Sequence, residues 1–189
     1  MAKYEWNIRL WREEIKPGES VFLILSSDKR FPSVNSRFIP IRRGTSLRLS
    51  LSPQHRAFHR ALVKSLSSLK PPGVIDSLYS SDVKKHQILP YTSFSLVALF
   101  PADVSYSHIT RMDIHNTGKS LIDVLLSSLH IASWLWPKEE GRWWKIDDKW
   151  IVQYDISISL LKDWPEDWPK EEFFYQIELL PLHLSQMLL

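Results

Sequence analysis

Two segments of strand length constrain this chain most. SVFLILSS (20–27) and SFSLVALF (93–100) are apolar at most positions and too short for a buried helix. Runs of about 4–8 such residues fit strands at the centre of a sheet, covered on both faces. The neighbouring segments fit the margins of the same sheet. YEWNIRLW (4–11) and SLRLSLS (46–52) alternate apolar and polar residues, and FIPIRR (38–43) precedes the second of these. SHITRMDIH (107–115) alternates well enough to pair with 93–100. RWWKI (142–146), KWIVQYDISISL (149–160) and FFYQIELL (173–180) read as further strands. Lys16-Pro17-Gly18 predicts a turn, and DKRFPSVNSR (28–37) a polar loop.

Two segments have the 3.6-residue period instead. Ser52 is a good N-cap with Pro53 at the first helical position, and Phe58, Leu62, Leu66 and Leu69 form one apolar stripe. Arg56, Arg60 and Lys64 form a second stripe, and Pro71-Pro72-Gly73 ends the helix. Such a helix either packs on a core with its basic face in solvent or lies against a charged surface. Thr117-Gly118 opens KSLIDVLLSSLHIASWLW (119–136), with Leu121, Leu125, Leu129 and Ala132 on one face; this is the expected core helix. The pattern predicts an α+β fold. A single domain over 1–189 has a mainly antiparallel sheet packed by two principal helices, about 52–70 and 118–136.

Length and composition agree with one ordinary globular domain: 189 residues, 44% hydrophobic and 24% charged. The chain has no cysteine, which excludes disulfides, thiolate metal sites and a cysteine nucleophile. The opening MAKYEWNIRLWREE mixes acids and bases and does not read as a signal peptide. No run approaches the roughly 18 apolar residues of a membrane span.

Charge is distributed unevenly. Between Asp28 and Asp76 there is no acid, while Lys29, Arg30, Arg37, Arg42, Arg43, Arg48, Arg56, Arg60, Lys64 and Lys70 are all basic. From Glu139 onward eleven acids face five bases. The basic zone suits phosphate, whether of an anionic membrane surface or of RNA. Asp163, Glu166 and Asp167 surround Trp164 and Trp168 in the repeated tripeptide Asp-Trp-Pro. Tryptophan beside proline is a typical interface anchor, so this loop is the expected self-association element of a homo-oligomer.

Catalytic patterns fail on inspection. Asp113-Ile-His-Asn-Thr-Gly118-Lys119-Ser120 has the tail of a phosphate-binding loop, but Asp113 stands where the backbone must wrap phosphate and glycine is needed. A Thr-Gly helix start explains it better. His55 and His59 have the i, i+4 spacing of metal ligands, but Arg56 and Arg60 flank them, and they read as surface histidines. The acids at 163–172 have no partner to separate their pKa values. The chain is therefore expected to be non-enzymatic, with no metal, cofactor or small-molecule substrate.

The order of 93–136, a strand pair leading into KSLIDVLLSSLHIASWLW, followed by the aromatic strands of RWWKIDDKWIVQYD, resembles the matrix proteins of rhabdoviruses. The resemblance spans about a third of the chain. It departs from the family at the start, which enters a strand directly. It also lacks a P-P-x-Y or P-[ST]-A-P motif, since its one proline pair is Pro71-Pro72-Gly73-Val74. The resemblance implies a virion structural protein that self-assembles in the host cytoplasm or nucleus, associates peripherally with the inner membrane leaflet and contacts a nucleocapsid. The alternative from the residues alone is a nucleic-acid-binding protein of the movement, packaging or silencing-suppressor type, using the same bases with exposed aromatics to stack on RNA.

Overall fold

The largely apolar segment 20–27 lies inside a five-stranded sheet, flanked on both sides by other strands. The computed structural model describes residues 4–16, 20–66, 91–105, 107, 109, 113–131 and 151–182. Its elements are β1 (Ile8–Lys16), β2 (Ser20–Ser27), β3 (Phe38–Arg43), β4 (Ser46–Leu51), α1 (Pro53–Leu66), β5 (Tyr91–Pro101), α2 (Ile114–Ile131), β6 (Ile151–Leu161) and β7 (Phe173–Leu182). The main sheet has the order β1-β2-β7-β5-β6, and β3 and β4 form a separate two-stranded ribbon. The described residues make one α+β domain with a mostly antiparallel sheet. The exception is β5–β6, which run parallel on either side of α2 in the chain, as a strand–helix–strand connection requires.

Both helices contribute to the core on one face. Phe58, Leu62 and Leu66 of α1 and Leu121, Ile122 and Leu125 of α2 meet Val21, Leu23 and Leu25 of β2. Phe94, Leu96, Ala98 and Phe100 of β5 and Tyr175, Ile177 and Leu179 of β7 complete that layer. Each buried Val, Leu, Ile or Phe among them contributes about 1.5–3 kcal/mol by leaving water. Phe31 stacks on Tyr175 with ring centres 4.1 Å apart and meets Phe58 at 4.8 Å. The Phe31 N–H donates to the Tyr175 hydroxyl over 3.3 Å. Burial raises the pKa of that phenol and keeps it neutral.

Residue 118 shows why glycine is needed in the middle of a helix. A Cβ there would lie 2.4 Å from Ile156 Cδ1 and 2.6 Å from the Tyr154 hydroxyl, so any larger residue must displace these two side chains of β6. Gly118→Val is expected to cost about 2–3 kcal/mol through overpacking, read as a lower melting temperature; unchanged melting would contradict this contact.

Several sequence expectations are corrected. The described residues of the expected strand 107–115 are not extended: 107 and 109 are helical, and α2 begins at Ile114 rather than 118. Asp113 decides this start. Its carboxylate accepts from the Asn116 N–H (3.4 Å) and side-chain amide (2.6 Å), and its carbonyl accepts from the Thr117 N–H (2.9 Å). Asp113, which the phosphate-loop pattern places where glycine is needed, serves instead as the N-cap, a role that aspartate fills well. The first strand begins at Ile8, not residue 4. The turn at 17–18, the helix extensions 67–70 and 132–136 and the strand at 142–146 lie outside the described residues.

Candidate functional site

The β3–β4 hairpin turns at Gly44-Thr45. Gly44 has φ +60°, the left-handed conformation that two-residue hairpin turns demand. Pairing is regular from Phe38↔Leu51 to Arg43↔Ser46. Alternation along the two strands therefore gives one face with Phe38, Pro40, Arg42, Leu47, Leu49 and Leu51, and another with Ile39, Ile41, Arg48 and Ser50. A two-stranded ribbon is by itself too narrow to bury both of its faces. Leu47 and Leu49 are each 72% exposed and Phe38 is 50% exposed.

The hairpin leads into α1 through Ser52, whose hydroxyl accepts from the His55 N–H (3.3 Å) and whose carbonyl accepts from the Arg56 N–H (3.0 Å). The basic zone then divides in two. Lys29 lies over the Trp6 ring at 5.7 Å and donates to the Glu5 carbonyl, and Arg30 covers the Phe173 ring at 5.3 Å. Arg37 lies over the Phe38 ring at 5.0 Å. These three guanidinium and ammonium groups are half-buried against the chain's own aromatics. Arg42 and Arg48 on the hairpin and Arg56, Arg60 and Lys64 on α1 are exposed. The Arg43 side chain and Lys70 lie outside the described residues.

The Asp-Trp-Pro loop folds onto the sheet face opposite the helices. Two successive turns, closed by Trp168 N–H to the Pro165 carbonyl (3.1 Å) and Glu172 N–H to the Pro169 carbonyl (3.2 Å), bring the rings inward. Trp168 stacks on Phe174 at 4.3 Å and 7°, and Trp164 meets both rings edge-on. Trp11 joins them at a bulge between Leu10 and Arg12 of β1. Both loop tryptophans are thus half-buried inside this molecule, while Asp163, Glu166 and Asp167 are exposed. Glu172 is not part of a solvated acidic run. It accepts from the Ser26 hydroxyl, which itself accepts from Trp11 Nε1 (2.6 Å), and it pairs with Arg9 at 3.5 Å.

His55 differs from the surface reading. It is buried, with Nδ1 3.2 Å from the Ser52 hydroxyl and Nε2 2.9 Å from the Ser120 hydroxyl, and so ties α1 to the first turns of α2. Burial, then the nearby Arg37 charge, lowers its pKa against an opposing bond to the Ser36 backbone; burial also lowers that of half-buried His59. The neutral rings belong to the folded state, so the unfolded chain binds more protons below its own value of 6.5. Stability is expected to be full above that pH and to fall as pH drops through 6.5. His55→Gln with His59→Gln should flatten the dependence of melting temperature on pH between 7.5 and 5.5. An equally steep curve in the variant would assign it elsewhere.

The 113–120 segment forms no phosphate cradle. It is a capped helix start with Ile114, Thr117, Gly118 and Ser120 buried and Lys119 exposed. No family model matches the chain, and no curated protein matches it. Among solved structures it is similar to the periplasmic domain of Helicobacter pylori MotB (residues 90–256), at 11% identity and a TM-score of 0.35. That match covers 93% of this chain and 83% of the other. A likeness at this level assigns no function.

Proposed function

We propose that this chain is a non-enzymatic structural protein that docks on an anionic membrane surface and assembles there, as matrix proteins do. One observation carries the reading: Arg42, Arg48, Arg56, Arg60 and Lys64 are all exposed on three consecutive elements, β3, β4 and α1, in a stretch without an acidic residue. Each such cation near an anionic leaflet contributes about 1 kcal/mol. Exposed Asp163, Glu166 and Asp167 offer the opposite charge to a second copy, and this gives a head-to-tail contact that propagates rather than closing.

The test is flotation with vesicles of phosphatidylserine and phosphatidylcholine across a salt series, with filter binding to single-stranded RNA in parallel. Vesicle binding is expected to be strong at low salt and to fall steeply as salt rises. Absence of vesicle binding at low salt, or binding to RNA alone, would overturn the membrane reading and favour nucleic acid as the partner of the same cations. Light scattering at low salt should record mass growing with concentration, reversed by Asp163→Lys with Glu166→Lys and Asp167→Lys.

A further inference from the structure

We infer that the β3–β4 hairpin is a membrane-insertion element whose Leu47–Leu49 face enters the apolar boundary of an anionic bilayer, an inference that rests on the membrane reading above. The cations alone account for attraction to phosphate; the leucines need another explanation. Single exposed leucines are ordinary on protein surfaces, but a contiguous apolar face is not. Here Leu47, Leu49, Pro40 and Phe38 are exposed on one face of a ribbon that, among the described residues, pairs with no further strand.

The arrangement of charge selects the occupant. Arg42 stands directly across from Leu47 on the apolar face, and Arg48 lies between the two leucines on the other face. Apolar side chains beside arginines, with no carboxylate from residue 29 to 75, match the boundary of a bilayer whose headgroups are anionic. The leucines would reach the acyl boundary while the guanidinium groups stay with the phosphates, their stems along apolar surface. A second copy of the hairpin would bring cation against cation. RNA would use the arginines and leave Leu47 and Leu49 in water. At about 3.4 Å per residue, the six-residue strands reach about 20 Å, long enough for the Leu47–Leu49 face to lie along the boundary between headgroups and acyl chains.

The absence of native cysteine allows single-site labelling of the full chain. Leu47→Cys and Ser50→Cys, on opposite faces, would each carry an environment-sensitive fluorophore and be mixed with phosphatidylserine–phosphatidylcholine vesicles containing lipids with nitroxides at known depths. The label at 47 is expected to shift to the blue and be quenched by shallow nitroxides, with little change at 50. Leu47→Ser with Leu49→Ser should weaken vesicle binding about tenfold or more, with unchanged salt dependence and melting temperature. If both labels remain in water while the protein binds vesicles in a salt-dependent way, or if the double-serine variant binds like the wild type, insertion is wrong and surface docking stands. If the unmodified chain binds no anionic vesicle, both readings fall. A response of label 47 to RNA alone, or to protein concentration without vesicles, overturns insertion in favour of a nucleic acid or a second copy.

Discussion

Reversing Arg42, Arg48, Arg56 and Arg60 to glutamate together should lower binding to anionic vesicles at least a thousandfold at low salt, with the melting temperature within a few degrees of wild type. Removing four surface cations at about 1 kcal/mol each already accounts for about three orders of magnitude, and four new carboxylates add repulsion. All four side chains are exposed, so the fold loses little when they change. Salt should act in the same direction, because the Debye length is about 10 Å at 0.1 M. Reversal of Lys162 and Lys170, exposed beside the acidic loop, is the control and should leave binding nearly unchanged. Retention of binding within threefold by the quadruple variant would remove the cationic hairpin and helix as the docking surface.

Trp164→Ala with Trp168→Ala should destabilise the chain by about 3 kcal/mol, which for a protein of this size lowers the melting temperature by about 6–12 °C. Complete burial of a tryptophan would make the loss larger. Both rings are half-buried, but Trp168 lies flat on Phe174 and its carbonyl accepts from Trp164 Nε1 at 3.0 Å. The two rings therefore fasten the loop to the sheet, and the hydrogen bond between the tryptophans holds the loop's own turn. Exposed interface anchors would behave differently: mass in light scattering would fall while melting stayed constant. A double variant that melts like the wild type would contradict the packing described.

The alternation and the helical period made most elements legible without a structure. β2, β3 and β4 follow the expected segments because apolar strand-length runs and a glycine-containing turn leave few options. Ser52-Pro53 likewise fixed the start of α1. The acid-free basic zone is also a property of sequence alone, and so is the absence of cysteine chemistry.

Three features were decided only by tertiary contact. Position 118 favours glycine because a side chain there would have to displace Ile156 and Tyr154 of β6. His55 is flanked by half-buried Gln54 and exposed Arg56 in a basic segment, yet its side of the helix meets Ser120, sixty-five residues away, where water is excluded. The tryptophans beside proline have the composition of an interface, and a bulge at Trp11 with Phe174 on the neighbouring face supplies their partners within the same chain. Sequence determines which side chains are apolar, charged or turn-forming. Which of ten bases rest on aromatic rings and which reach solvent depends on where the sheet ends and the hairpin leaves it, because burial is a property of the whole packed chain and not of any one segment.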